Sequence, residues 1–174
     1  MLTEPAVTAA GTGRILVAGV GYQNLRDLSA GLAVLERLVT GALPEVDLED
    51  LSYGPIDVLF LLQRRAPYAA AIFVTGAARG RAPGSVHRAA WDPAPLAPEA
   101  LQERVAEAVT GVISLDNLLH ICGHFGALPA DCTVIEVEPA DLGWGEGLSE
   151  PGARGVDAAA ALVRREVVRV LSGE

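Results

Sequence analysis

The sequence is poor in cysteine, in aromatic side chains and in positive charge, and each shortage excludes a class of protein. Cys122 and Cys132 are too few for a disulfide framework. A formal net charge of −9 argues against broad binding of nucleic acid or of an anionic membrane, since either needs a basic surface. No apolar run reaches the ~18 residues of a membrane-spanning helix. We therefore expect a cytoplasmic protein that binds neither nucleic acid nor a membrane.

The composition that remains is that of a globular domain. Hydrophobic residues make up 51% of the 174 residues, but aromatic residues only 5%, so alanine, valine and leucine must form most of the core. Residues 1–13 contain neither a basic nor an apolar segment, and we interpret them as a flexible leader. Residues 14–174 then form a single domain.

Strand and helix patterns alternate along this domain. Continuous apolar runs such as Ile15–Ala18 are typical of strands buried on both faces, and apolar residues at helical spacing follow them. The alternation predicts an α/β fold, a three-layer α/β/α sandwich with a mostly parallel sheet of about five strands. The predicted strands cover residues 15–18, 46–51, 70–75, 85–89 and 133–138, and the predicted helices 28–39, 55–65, 99–109, 114–125 and 149–171.

The first strand ends in a Gly-x-Gly turn, Gly19-Val-Gly21. A dinucleotide-binding turn needs a third glycine three residues later, and that position is Asn24. No acidic residue is placed to bind a ribose at the end of the next strand. A nucleotide site is therefore not the favoured interpretation of this loop.

Other motifs follow in order. Asp27 and Gly31 come six and ten residues after Gly21, and Pro83-Gly-Ser-Val-His-Arg88 follows the third predicted strand. Leu128-Pro129, Val134-Ile-Glu-Val-Glu-Pro139 and Gly143-Trp-Gly-Glu-Gly-Leu-Ser149 complete the series. Together they resemble the hydrogenase maturation proteases, nickel-guided endopeptidases that trim the C-terminus of the NiFe-hydrogenase large subunit. The resemblance covers nearly all of residues 15–171.

The resemblance also implies where nickel would be held, and this chain departs from the pattern at each position. Family enzymes hold the metal through a carboxylate after the first-loop Asp, an Asp ending the third strand and a His ahead of a later helix. The matching residues here are Leu28, Gly76 and, within a few residues, Gly111. Neither leucine nor glycine offers nickel an imidazole or carboxylate donor. The implied nickel would belong to the substrate, and we expect no resident cofactor.

We expect a crevice at the carboxyl edge of the sheet, where open α/β proteins bind their ligands. Asp27 is either a polar group of this crevice, as a general base or lone anion, or the N-cap of the helix that follows. The arginine cluster after the third strand, formed by Arg79, Arg81 and Arg88, either clamps a carboxylate there or is solvated. The candidate crevice residues are Gly19, Gly21, Asn24, Asp27, Leu28, Gly76, Arg79 and Arg81.

Substitute metal ligands are a weaker alternative. His120 and His124 lie four residues apart on one predicted helix, a spacing that can hold zinc, although the glutamate base of the metalloprotease motif is missing. Asp27, His87 and Asp116 are the other candidates. Glu136 and Glu138 share a strand face, and the resemblance makes Glu138 a structural residue at a strand end.

Three functions follow from these patterns. The first is a catalytically degenerate, protease-like protein that binds a NiFe-hydrogenase large subunit or an assembly factor. The second is an active endopeptidase that removes the C-terminal peptide of the large subunit through substitute ligands. The third is an unrelated small-molecule enzyme or binder that uses the same crevice.

Overall fold

The computed structural model describes residues 13–41, 43–92 and 94–173 and contains five strands and five α-helices within these ranges. The apolar runs form the central strands because both of their faces are covered by helices. The strands are β1 (Ile15–Val20), β2 (Val46–Asp50), β3 (Ala70–Gly76), β4 (Val86–Ala90) and β5 (Asp131–Val137). The helices are α1 (Ala30–Val39), α2 (Pro55–Gln63), α3 (Pro98–Ala108), α4 (Leu115–His124) and α5 (Glu150–Ser172).

The strands form one sheet in the order β2-β1-β3-β5-β4. All neighbouring pairs are parallel except β4 and β5, which are antiparallel. The predicted α/β fold with a mostly parallel five-stranded sheet is therefore confirmed. Because four strands point the same way, the loops that follow them meet at one carboxyl edge.

Helices cover both faces of the sheet. On one face α1 and α5 pack against residues such as Val17, Ile72 and Ile135. On the other face α2 and α4 pack against Leu16 and Phe73, and α3 lies against α4. Alternate residues of each central strand thus contribute to separate cores, which gives the predicted three layers.

The first helix begins later than the apolar pattern predicts. A short 3-10 turn over Arg26–Ser29 precedes α1, which starts at Ala30. The prediction that Asp27 caps this helix is wrong, because its carboxylate bonds to a distant loop instead. The predicted leader lies outside the described residues apart from Gly13. No helix within the described ranges has the length and apolar character needed to cross a membrane.

Candidate functional site

A crevice of about 260 Å³ opens at the carboxyl edge of the sheet, between the ends of β1 and β3 and the start of α4. Its position is the one predicted for a ligand site in an open α/β sheet. Backbone and small side chains from the two strand ends form its floor, and residues before α4 form one wall. Its described lining comprises Val20, Gly21, Tyr22, Leu28, Thr75, Gly76, Ala77, Ala78, Arg79, Ile113, Ser114, Leu115 and Asp116.

Tyr22 joins the two walls of the crevice. Its hydroxyl donates to the carbonyl oxygen of Ile113 at 3.0 Å and accepts from the Ile113 backbone nitrogen at 3.1 Å. The loop that follows α3 is thereby held at the carboxyl edge, beside the loop that follows β1. Ser114 then caps α4 by accepting a hydrogen bond from the Asn117 nitrogen at 3.3 Å.

Gly76 leaves no room for a side chain at the end of β3. A Cβ at this position would collide with the carbonyl oxygen of Asp27 and would lie 3.1 Å from the Cα of Leu28. The strand end therefore packs directly against the backbone of the 3-10 turn. Leu28 lies in this turn, half-buried, and contributes apolar surface to the crevice.

Arg79 occupies the polar end of the crevice and is paired within the protein. Its guanidinium donates to Glu136 at 2.7 Å and to both carboxylate oxygens of Asp116 at 3.0 Å. These hydrogen bonds raise the pKa of Arg79 above its ordinary value, the bond to Glu136 contributing most. The pairing links the loop after β3 to the first turn of α4.

Glu136 is the buried centre of this charge cluster. Arg81 donates to its other carboxylate oxygen at 2.8 Å, so two arginines share one carboxylate. Burial disfavours the charged form of Glu136, but the hydrogen bonds from Arg79 and Arg81 outweigh this effect and lower its pKa. The predicted clamp for an external carboxylate is therefore already filled by a carboxylate of the protein.

Glu138 holds the backbone of the same loop. Its carboxylate accepts hydrogen bonds from the Arg79 nitrogen at 3.0 and 3.1 Å and from the Gly80 nitrogen at 3.0 Å. This is the strand-end structural role that the resemblance implied. Arg88, the third arginine of the predicted cluster, lies on β4 and pairs with Glu166 of α5 at 2.7 Å, away from the crevice.

Asp27 is fully buried and bonds to the loop between β5 and α5. It accepts from the backbone nitrogens of Ala140 at 2.8 Å, Asp141 at 3.0 Å and Ser149 at 2.8 Å, and from the Ser149 hydroxyl at 2.6 Å. Burial opposes ionisation of Asp27, but these four bonds prevail and lower its pKa. Ser149 in turn caps α5, so Asp27 fixes the start of that helix from outside.

The donors in the crevice do not fit a nickel ion. Asp116 is the single carboxylate among the described lining residues, and Arg79 binds both of its oxygens. Gly111, near the third implied ligand position, is exposed in the loop after α3 with a φ of 77° and does not line the crevice. Across the described ranges, no three His, Cys, Asp or Glu side chains are grouped to hold a metal.

The histidines lie apart from the crevice. His87 is exposed on β4, and His120 packs edge-on against Trp91 with ring centroids 6.4 Å apart. His124, one turn further along α4, contacts Phe125 instead. The substitute ligands proposed from the sequence therefore do not form one site with Asp27 or Asp116.

The two cysteines have the properties of core residues. Both are buried, and burial raises the pKa of the Cys122 and Cys132 thiols to about 12. At neutral pH neither thiol ionises appreciably, so neither is an activated nucleophile.

The structure brings together half of the candidate crevice residues predicted from the sequence. Gly21, Leu28, Gly76 and Arg79 line the crevice. The other four lie beside it: Gly19 against α1, Asn24 exposed in the first loop, Asp27 buried within the 3-10 turn and Arg81 on Glu136.

Tyr22, Thr75 and the residues 113–115 were missed as lining residues. A search for charged and metal-binding side chains does not find them, because they contribute a hydroxyl, backbone or apolar surface. The sequence indicated these residues only through their positions at the ends of predicted elements. Thr75 ends a predicted strand, and residues 113–115 lie at the start of the predicted helix over 114–125.

A crevice at the carboxyl edge of a parallel sheet between two helical layers defines the chain as a three-layer α/β protein with a sheet-edge site. No family model matches the chain, and no curated protein matches it in sequence. It is similar to the solved hydrogenase 2 maturation peptidase from Thaumarchaeota archaeon SCGC_AB-539-E09. The two are 26% identical with a TM-score of 0.62, and the match covers 88% of this chain and 97% of the other.

Two further solved structures share the fold. The hydrogenase maturating endopeptidase HybD from E. coli is 23% identical, with a TM-score of 0.62 and coverage of 86% and 89%. The [NiFe] hydrogenase maturation protease HybD from Thermococcus kodakarensis is 17% identical, with a TM-score of 0.62 and coverage of 88% and 99%. The resemblance to hydrogenase maturation proteases predicted from the sequence motifs is thus confirmed.

Proposed function

We propose that this chain is a protease-like cytoplasmic protein that binds the C-terminal region of a NiFe-hydrogenase large subunit at the crevice and does not cleave it. The observation that carries the proposal is the chemistry of the crevice wall. Leu28 and Gly76 occupy two positions where the resemblance implies nickel ligands, and Asp116 is held by Arg79. Such a crevice offers shape and apolar surface to a peptide, but its described lining has no free carboxylate or imidazole for a metal.

The packing around Gly76 strengthens this proposal. A ligand side chain there would need the 3-10 turn to move, because the Asp27 carbonyl and the Leu28 Cα fill the space. Asp27 itself has no free carboxylate oxygen to act as a general base, since both oxygens accept hydrogen bonds from the loop before α5. An active peptidase with substitute ligands therefore finds little support among the described side chains.

The test is to mix the purified protein with the nickel-loaded large-subunit precursor of the same organism. Binding is measured by isothermal titration calorimetry, and the precursor is then weighed by mass spectrometry. We expect a complex with an unchanged precursor mass. Loss of the C-terminal peptide would overturn the proposal in favour of an active endopeptidase.

A variant with a blocked crevice tests whether the crevice is the contact, and a variant on the exposed surface is its matched control. Ala78 lines the crevice, whereas Ala158 is exposed on α5. Ala78→Trp should abolish binding because its indole fills the space, and Ala158→Trp should bind as the wild type does. Equal binding by both variants would show that the crevice is not the contact. Absence of binding by the wild type would favour a small-molecule ligand.

A further inference from the structure

Large apolar side chains are exposed on three loops at the end of the molecule where the crevice opens. Tyr53 follows β2, Val109 and Val112 follow α3, and Leu142 and Trp144 follow β5. We call these five residues the rim. Trp144 is the most exposed of them, with 79% of its surface accessible to solvent. Solvent-exposed apolar side chains grouped around a cleft are typical of a protein-binding surface.

The backbone next to Trp144 is held in place, although the Trp144 side chain is solvated. The neighbouring Gly145 pairs with the first loop, accepting from the Arg26 nitrogen at 3.1 Å and donating to the Asn24 carbonyl at 2.8 Å. Asp27 binds the two ends of the same segment, at Ala140 and at Ser149. An aromatic side chain on a backbone fixed in this way loses little entropy on binding, which favours a role as an anchor.

Acidic side chains accompany the rim. Asp141, Glu146 and Glu150 are exposed around Trp144, and Asp57 is exposed beside Tyr53. Arg26 and Arg154 offset part of this charge through pairs with Asp141 and Glu150. The chain as a whole carries a formal net charge of −9. A partner surface complementary to the rim is therefore apolar at its centre and basic around that centre.

We propose that Trp144 is the anchor of the contact with a protein partner, and that it enters an apolar pocket bordered by basic side chains on that partner. The inference rests on the proposed function, which makes the large-subunit precursor the partner whose C-terminal region enters the crevice. Trp144 and Leu142 lie at the same carboxyl edge of the sheet as the crevice, so the body of the same partner reaches them.

The probe is the purified, nickel-loaded precursor, titrated into the wild-type protein and two variants. Trp144→Ala should weaken binding at least ~10-fold, as truncation of an anchoring aromatic residue does. Phe125→Ala removes an exposed aromatic side chain at the end of α4 and should leave the affinity unchanged. Raising the salt concentration should weaken wild-type binding, since the surrounding contacts are charged.

The outcomes separate this inference from the proposed function. If the wild type and Trp144→Ala bind equally well, the inference that Trp144 is the anchor is wrong, while the proposed function stands. If the wild type does not bind, both fail. If the wild type co-sediments with phosphatidylserine vesicles and Trp144→Ala does not, the residue contacts a membrane. If the wild type forms a concentration-dependent dimer and Trp144→Ala does not, the residue contacts a second copy of the chain. Either result overturns the inference.

Discussion

Asp27 shows how an acidic residue in a candidate site can be wholly structural. It is buried, accepts four hydrogen bonds and joins the loop after β1 to the loop before α5. An anion can remain in this position because backbone N–H groups and a hydroxyl replace its hydration. A carboxylate whose lone pairs are used in this way has little capacity left for proton transfer.

Replacing Asp27 with Asn should destabilise the fold by ~3 kcal/mol, because an amide group would oppose backbone donors in a buried site. Urea unfolding followed by circular dichroism measures the change. The control is Asp157→Asn, which removes an exposed pair with Arg37 at 3.0 Å and should cost less than ~1 kcal/mol. Equal losses for the two variants would contradict the structural role of Asp27.

The types of charged residue around Arg79 could be predicted from the sequence, but the ion pairs between them could not. The sequence indicated arginines near the sheet edge and two glutamates on one strand face. It could not show that Arg79 and Arg81 share Glu136, because these partners lie 57 and 55 residues apart. Such pairings depend on strand order and loop shape, which no local pattern encodes.

At the scale of elements, the contact between the end of β3 and the 3-10 turn defines the crevice floor. Gly76 allows the strand to approach the backbone of Asp27 and Leu28. The turn also explains why α1 begins at Ala30, later than the apolar spacing predicted. Helix periodicity locates the buried stripe of a helix but not the tertiary contacts that fix its first turn.

Restoring carboxylates at two of the implied ligand positions should have unequal effects. Gly76→Asp should lower the stability by ~3 kcal/mol, because its Cβ collides with backbone atoms that cannot rotate away. Leu28→Glu should fold with a loss below ~2 kcal/mol, because Leu28 lines an open crevice and a longer side chain can reach solvent.

Thermal unfolding with and without nickel chloride tests both variants. We expect no increase in unfolding temperature on adding nickel to Gly76→Asp, since the strand end has no space to present a ligand. A Gly76→Asp variant as stable as the wild type and further stabilised by nickel would contradict the geometry described above.

At the scale of the whole molecule, several buried or half-buried carboxylates have lowered pKa values. Burial opposes ionisation of Asp27 and Glu136, but their hydrogen-bond donors outweigh it, and arginine donors dominate for Asp47 and Glu166. Each carboxylate binds a proton more readily in the unfolded chain than in the folded one. Its contribution to stability is therefore complete above the unfolded pKa of ~4 and declines as the pH falls toward the folded value.

The midpoint of urea unfolding should accordingly change little on account of these groups between pH 7 and 5 and should fall below pH ~4. Measuring it at half-unit intervals down to pH 3 tests this expectation. The double variant Asp27→Asn with Glu166→Gln should have a shallower acid decline than the wild type, although it is less stable at neutral pH. A midpoint that stays constant to pH 3 would argue against the lowered pKa values.

The overall architecture could be predicted from the sequence because burial on both faces produces continuous apolar runs. Ile15–Val20 and Ala70–Gly76 are such runs, and helical spacing between them implies parallel strands. The crevice could be placed because parallel strands end at one edge. The sequence did not reveal that the wall of the crevice is apolar or that its charged side chains pair with one another. Both features became visible only in the tertiary structure.

The sheet order has a consequence for synthesis of the chain on the ribosome. Strand β5 lies between β3 and β4, yet it is made after both, and among the described strands β4 pairs with β5 alone. Until residue 137 has emerged, one edge of β3 and all of β4 lack their strand partners. A nascent chain therefore exposes strand edges, which are prone to aggregation, from the emergence of β3 until that of β5. Insertion of β5 pairs the free edge of β3 and one edge of β4 in a single step, and leaves β4 as the edge strand of the sheet.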